Sequence, residues 1–357
     1  MGHPNFVHLH LHTDFSLLDG ACDMTQVLDE AARRGMPAVA VTDHGNLFAA
    51  ANFAHEASTR GVKPIIGCEV YVAKGSRHDR GADADRDDAP GSGRSNHLLL
   101  LCENDEGYRN LIKLVSAGFL EGFYYKPRID YDLLSKHSRG LIALSACLRG
   151  AVSEHVVEER YNQAQAAAYR LRDIFGKSNF FLEIQDQGLP VEHRINPELV
   201  RLSKESGIPL VATNDCHYLT QQDARAQEVL LCIQTGKTIS DPHRMKFATD
   251  QFYFKTAAEM AEVFRELPDA LSRTLAIAER CHVKIDRIPN SFPDLQVPDG
   301  HTMDSYFEKV AREGFQERLP HLEARAKQGL LRRPLAEYER RLSDEIEVIH
   351  RMRYASY

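Results

Sequence analysis

His8, His10 and His12 alternate with leucines in the stretch HLHLH. On a β-strand this spacing of two projects all three imidazoles from one face and sends Leu9 and Leu11 to the other. Neutral imidazole is the commonest metal ligand, and two of them two residues apart can grip one ion. The competing reading is a half-buried strand with incidental histidines. More ligand-type residues follow later apolar runs: Asp43-His44-Gly45 after 38–42, Ala146-Cys147 after 141–145, and Asn214-Asp215-Cys216-His217 after 208–213. Strand C-terminal ends are where barrel folds carry their active sites. Glu69 lies inside the apolar run IIGCEVYV, where a carboxylate is costly unless paired or bound to metal. His97 opens its run instead of closing it, so its register is not readable from pattern. Taken singly, each is as well explained as a core or cap residue, Asp43 capping a turn and Cys147 filling an apolar gap. Their joint arrangement points to a metal centre.

The elements that must position these residues are seven short apolar runs: 6–11, 38–42, 65–72, 97–102, 141–145, 180–185 and 208–213. Helical segments lie between them. MTQVLDEAARR follows Asp23 and stops at Gly35 and Pro37. Asn196 is placed to cap a helix with Pro197 at its first position and Gly207 at its end. Thr256 and Glu259 have capping-box spacing. Alternating strands and helices predict an α/β architecture, and seven strands favour closure into a barrel over two separate sheets. Residues 74–96 hold ten charged residues among 23 and no large aliphatic side chain, so they are expected to form a mobile loop. Three prolines in IPNSFPDLQVPDG mark a linker at 286–300, after a first domain at 1–285. Beyond it, 301–357 reads as helical, charged and Arg-rich, and as a truncated element instead of a second complete domain.

Composition narrows the function classes. The chain has 357 residues, 43% hydrophobic and 27% charged, with a net charge of −7. That balance argues against a dedicated DNA-coating module but allows a nucleic-acid enzyme with a local basic groove. The seven cysteines contain no CxxC pair and are odd in number, which argues against a disulfide scaffold or a zinc finger. No apolar stretch approaches the roughly 18–20 residues of a membrane helix, and the N-terminus does not read as a signal peptide. A cytoplasmic protein is expected.

HLHLHTDFSLLDG, AVTDHGNL, GCEVYVA, NHLLLLC, GLIALSACLRG and ATNDCHYL resemble the successive motifs of the PHP (polymerase and histidinol phosphatase) domain. More narrowly, GFYYKPRIDYDLL, LEIQDQGLP and LLCIQTGKT with RMKF resemble the N-terminal region of the bacterial DNA polymerase III alpha subunits. The resemblance implies a distorted seven-stranded (β/α)7 PHP barrel followed by a helical C-terminal segment that opens the palm and thumb region. It implies nine ligands for three divalent ions, zinc or manganese. His10, His12, Glu69 and Asp215 would take the first. Glu69 would bridge to a second with His97 and Cys147, and Asp19, His44 and His217 would take the third. His8 falls outside the set as a structural residue. Three carboxylates and one thiolate leave three divalent ions a net positive charge, suited to phosphodiester hydrolysis.

The resemblance also implies a parent that is a DNA-directed DNA polymerase, a nucleotidyltransferase of DNA replication. The palm carboxylates of that family have no counterpart here, so this chain alone is not expected to polymerise. HRMRYASY departs from the Gly-Phe that the family usually carries after the Met. A 3′–5′ exonuclease that proofreads the primer 3′ end is the first functional expectation. A histidinol-phosphatase-like small-molecule phosphoesterase and a non-catalytic platform for a separate proofreading subunit are the alternatives. Filled ligand positions disfavour the platform, and the polymerase-specific segments disfavour the phosphatase. Expected partners are DNA and, through the parent polymerase, the sliding clamp and clamp loader at the nucleoid-associated replisome, with no membrane. Tyr124, Tyr125, Lys126 and Arg128 could contact a single strand by stacking and charge, as could Arg244 and Lys246, a solvated basic edge being the plain alternative. Asp43 is a candidate partner of the ligands or a proton shuttle.

Overall fold

The computed structural model describes residues 6–80, 95–286 and 295–357. The chain divides into two compact units, Met1–Ile285 and Asp286–Tyr357.

The first unit is built on a curled, mixed sheet of eight strands: β1 (Ala38–Val41), β2 (Lys63–Ala73), β3 (Ser95–Cys102), β4 (Phe123–Tyr124), β5 (Lys126–Ile129), β6 (Leu141–Leu144), β7 (Phe180–Ile184) and β8 (Leu210–Ala212). β1 pairs parallel with β2, and β6, β7 and β8 pair parallel in turn. β3 runs antiparallel to both β2 and β6. The short hairpin of β4 and β5 extends the upper end of β2.

Residues 6–11, expected as a strand, form no regular ladder, and neither does His12 after them. Their backbone is nevertheless paired on both sides. Ala40 N donates to His8 O and Thr42 N to Leu11 O, while Cys216 N donates to His10 O and His12 N to Cys216 O. Leu11 N bonds the Thr42 hydroxyl at 2.8 Å in place of a ladder partner. Six of the seven expected runs are therefore strands, and the seventh is an irregular stave between β1 and the turn after β8.

Strand alternation sorts the core into two clusters. One face of each strand packs outward against helices, with Val70, Leu98, Leu100 and Leu182 meeting Leu28, Phe53, Leu111, Leu171 and Leu199. The other face lines the barrel interior, where Val7, Leu9, Ala40, Ile65, Leu99, Leu101, Ile142, Leu144, Phe181 and Val211 pack together. Ile277 and Ala278 of the helix Pro268–Arg280 close this inner cluster from one end. Continuing two residues at a time along the inner rows leads from Ile65 to Glu69, from Leu99 to His97 and from Phe181 to Glu183. The lower half of the interior is thus apolar and the upper half polar.

Two of the three helix starts read from the sequence hold. Asp23 caps Met24–Arg33 by accepting from Gln26 N, and the Thr256–Glu259 box is formed at both of its bonds. The helix expected to start at Pro197 starts instead at Pro190 and runs to Ser206. Asn196 does not cap it; its amide donates to Gln185 O at 2.9 Å. An internal proline costs about 3 kcal/mol in a helix. Burial of Ile195, Leu199 and Leu202 along one stripe, with Glu192 holding the amides of Gln187 and Leu189, outweighs that cost. Gly207 ends the helix in the left-handed conformation, as its position indicated.

Of the expected mobile loop at 74–96, residues 81–94 lie outside the described residues. Residues 74–80 are anchored: Lys74 pairs with Glu154, and Arg77 with Asp130 and Glu121. Of the expected linker at 286–300, residues 287–294 lie outside the described residues. The second unit contains the helices Met303–Lys327 and Leu335–Met352, the first capped by Thr302. Phe307 meets His350 edge-on at 5.8 Å between them, and Ile346 is the sole fully buried apolar residue among those described in this unit.

Gly67 stands one inner-row step below Glu69, and a Cβ there would lie 2.5 Å from Leu100 O and 2.8 Å from Leu101 Cδ2. Gly67→Ala is expected to lower the unfolding free energy by roughly 1–3 kcal/mol, read as a shift of the urea midpoint. An unchanged midpoint would show that β3 yields freely at this point.

Candidate metal centre

The polar half of the interior gathers all nine residues of the expected ligand set. Glu69 is 1% exposed and sits at their centre. Its Oε1 lies 2.9 Å from His97 Nδ1, 3.6 Å from His10 Nε2 and 3.8 Å from Cys147 Sγ. Its Oε2 lies 2.8 Å from His44 Nδ1 and 3.5 Å from His12 Nε2. Asp215 Oδ1 is 3.2 Å from both His10 Nε2 and His12 Nε2. Asp19 Oδ2 is 3.2 Å from His44 Nε2, and the His217 ring lies 4.5 Å from that of His12. Three overlapping triads have ligand atoms within 4.8 Å of one another: His10, His12 and Glu69; His12, His44 and His217; His44, Glu69 and His97. His44 is shared between Asp19 and Glu69, so the contacts do not divide into three separate sets.

Strand direction explains the placement. β1, β6 and β8 deliver His44, Cys147 and Asp215 just past their C-terminal ends. Because β3 runs the opposite way, its N-terminal end reaches the same rim, and His97 pairs there with Tyr71 of β2. Two ligand-bearing turns use left-handed backbone away from glycine, at Ala146 (φ 62°) and Asp215 (φ 49°). Such conformations carry a cost and concentrate at functional sites.

The hydrogen bonds behind the ligands fix which nitrogens are available. His10 Nδ1 donates to Glu183 Oε1 at 2.6 Å, and His217 Nδ1 to Asp215 O at 2.9 Å. Ser16 Oγ gives its one proton to Asp43 Oδ1, so it accepts from His12 Nδ1 at 3.1 Å. Each arrangement makes Nε2 the nitrogen that faces the cluster. His8 differs. Its Nε2 donates to Lys255 O at 2.8 Å, its Nδ1 meets Cys216 Sγ at 3.3 Å, and it stacks on Phe254. Both nitrogens are engaged, so the three imidazoles do not share a face. Leu9 in the inner cluster and His10 in the polar half both point inward, and the alternation slips by one residue between them.

Asp43 is buried and accepts from Thr13 N at 2.7 Å, from the Thr13 hydroxyl and from Ser16 Oγ. Its side chain reaches His12 through Ser16, and its carbonyl accepts from Glu69 N. Glu183, which sequence reasoning missed, sits in the apolar run FFLEI and could have been flagged by the criterion that singled out Glu69. Its Oε1 also accepts from Gln185 Nε2 and Thr213 Oγ1.

Burial would raise the Glu69 carboxyl, but the His97, His44 and His10 imidazoles hold it well below the usual range. Asp19 and Asp215 are likewise depressed against burial, by His44 and His10 respectively. Burial would lower His44, but Asp19 and Glu69 raise it to about 10. Burial, with His44 and His217 close by, lowers His12 to about 3. Burial and the Glu69 charge push the Cys147 thiol well up. Without an ion the cluster is held together by protons, and a divalent cation would replace them. The residues fit such a group: imidazole, carboxylate and thiol donors converge, and Asp215 Oδ1 and His44 Nδ1 are buried among close ligand atoms without a well-directed hydrogen bond to any of them.

Of the six candidate nucleic-acid contacts, Tyr124, Tyr125, Lys126 and Arg128 share the β4–β5 hairpin, where Arg128 lies 5.3 Å over the Tyr124 ring, while Arg244 and Lys246 belong to another segment. Arg128 is 3% exposed, and its guanidinium bonds the carbonyls of Gly122, Arg77 and Asp79, so it braces the loop instead of facing a ligand. Arg244 is paired with Glu228 at 2.7 Å. Tyr125 is 72% exposed, Tyr124 meets it edge-on, and Lys126 Nζ lies 5.3 Å over the Tyr71 ring at the rim of the centre. Lys246 lines a separate cavity.

Comparison with known proteins places this geometry in context. A PHP domain signature matches residues 8–187. The chain is similar to the DNA polymerase III subunit alpha of Treponema pallidum, 40% identical over 100% of this chain and 29% of that protein. The same subunit of Borreliella burgdorferi is 43% identical over 90% of the chain and 28% of that protein, and that of Mycobacterium tuberculosis 41% over 99% and 30%. The chain therefore spans less than a third of the length of these relatives. Among solved structures, an amidohydrolase from Chromobacterium violaceum matches 59% of this chain and 87% of its own at 16% identity and a TM-score of 0.33. A protein of Bifidobacterium adolescentis assigned as a metal-dependent phosphoesterase matches 71% and 95% at 12% identity and a TM-score of 0.35.

Two outcomes follow from the site. Glu183→Gln is expected to weaken divalent-ion binding about 10–100-fold, measured by competition with a chromogenic chelator, and an unchanged affinity would remove Glu183 from the ligand support. The raised His44 predicts that the metal-free chain draws stability from His44 fully below about pH 6.5, and loses it as pH climbs through about 10. The difference in Tm between the chelator-treated chain and its His44→Asn variant should shrink over that window.

Proposed function

The chain belongs to the PHP domain family, and from that membership we propose that its nine-donor cluster hydrolyses phosphodiesters as a metal-dependent 3′–5′ exonuclease acting on the primer end of DNA. Its similarity to DNA polymerase III alpha subunits supports a place in DNA replication. The parent polymerase would supply nucleotide transfer, and would bring the sliding clamp and clamp loader as partners in the cytoplasm. No helix among the described residues is long and apolar enough to cross a membrane.

The observation that carries the reading is the convergence of four imidazoles and a cysteine on the buried Glu69 carboxylate, with Asp19 and Asp215 holding the same imidazoles from their other sides. We assign His10, His12, Glu69 and Asp215 to one ion, Glu69, His97 and Cys147 to a second, and Asp19, His44 and His217 to a third, the ions being zinc or manganese. Clustered divalent ions acidify water and stabilise the attacking and leaving oxygens of a phosphoester. The chain's own part is to hold the donors. Glu183 orients His10, and Asp43 positions His12 through Ser16. Glu69 joins the sets on either side of it.

The purified chain is expected to carry two to three ions, on the order of one per assigned ligand set. It should shorten a labelled single strand from the 3′ end in a chelator-sensitive manner. His12→Ala and Asp215→Asn should abolish that activity, at least a hundredfold, while circular dichroism reports an intact barrel. Activity retained in a folded, metal-free variant would overturn the mechanism. A metal-loaded chain that ignores DNA would turn the assignment to a smaller phosphoester.

A further inference from the structure

A cavity of about 460 Å³ lies beside the metal centre, lined by Tyr218, Arg225, Gln227, Lys246, Phe247 and Thr249 among others. It shares a wall with the ligands. Phe247 meets the His217 imidazole edge-on at 5.4 Å, and Tyr218 follows His217 directly in the chain. Three features of this wall are unused by the cluster. Gln227 is 2% exposed, yet its Nε2 has no hydrogen-bond partner. Lys246 has no ion-pair partner among the described residues, whereas Arg225 and Arg244 are both paired with Glu228. Phe247 packs on Phe252 at 4.4 Å and is only partly buried, so part of its ring remains accessible.

An unsatisfied buried amide donor is costly unless something fills the position it faces. A partly accessible aromatic ring is a stacking platform that accepts any nucleobase, and an unpaired lysine favours phosphate. We propose that this cavity is the subsite for the nucleoside of a nucleotide whose phosphate is held at the metal centre. The base stacks on Phe247 and accepts a hydrogen bond from Gln227 Nε2, and Lys246 faces the phosphate side. The inference rests on the phosphoester reading of the adjacent centre and names which part of such a substrate the chain recognises.

Binding tests it without requiring turnover. Isothermal titration of the manganese-loaded chain would compare a deoxynucleoside 5′-monophosphate with inorganic phosphate. The nucleotide should bind about tenfold more tightly. Gln227→Met and Phe247→Ala should each remove most of that preference while phosphate affinity and metal content hold. Val229→Ala, an exposed change on the same helix, should leave it intact. Equal affinity for nucleotide and phosphate in the unaltered chain would overturn the proposal, as would a preference that survives both cavity variants. Should the chain fail to hydrolyse DNA yet keep a cavity-dependent nucleotide preference, the exonuclease reading fails and the subsite stands.

Discussion

Everything at the polar end of the barrel is organised by one buried negative charge. Glu69 occupies an inner-row position on β2, where a carboxylate without partners would be strongly destabilising. It is tolerated because imidazoles from residues 6–12, from the turn after β1 and from the start of β3 surround it, with the cysteine after β6 beside them. Those groups belong to four separate stretches of chain, so the barrel must be closed before the charge is compensated. The carboxylate therefore links the completion of the fold to the completion of the site. The apolar lower half of the interior provides the rigid floor on which the polar half is stacked.

Around this hub, a second set of polar residues removes freedom from the ligands. Glu183, Ser16 and the Asp215 carbonyl each engage the far nitrogen of one imidazole. Ser16 is saturated in the process: it donates to Asp43 and accepts from His12 and from His44 N. The ligands are thus aimed before any ion arrives, which limits the reorganisation that binding would otherwise require. Burial, reinforced by the neighbouring His44 and His217, drives His12 down, while His44, equally buried but with carboxylates on both sides, is driven up.

Much of this was legible in the sequence. The seven runs, the polar residues at their ends and the carboxylate inside IIGCEVYV identify the staves and the hub, because burial of a charge in an apolar run demands compensation whatever the fold. What pattern could not supply was direction and register. His97 was unplaced because nothing in NHLLLLC reveals that β3 runs against its neighbours. Residues 6–11 read as a regular strand because the period-two pattern persists through a slip that only tertiary hydrogen bonds impose. Pro197 drew the helix start seven residues too late, since local propensity carries no knowledge of the stripe at Ile195, Leu199 and Leu202. Arg128, by its charge, suggested a surface contact, and only the carbonyls around it show that it is a brace.

The slip between Leu9 and His10 has a consequence for anyone transplanting this motif. Successive inward side chains on a regular strand stand roughly 6.5–7 Å apart along the chain. Yet His10 Nε2 and His12 Nε2 approach to 3.1 Å, and Leu9 still reaches the apolar floor. A graft of HLHLH onto an ideal strand of another scaffold would reproduce the letters, aim His8 together with His10 and His12, and lose the leucine anchor from the interior. The portable unit is the irregular stave together with Thr42, whose hydroxyl takes the place of a ladder partner. The three-histidine string alone is not.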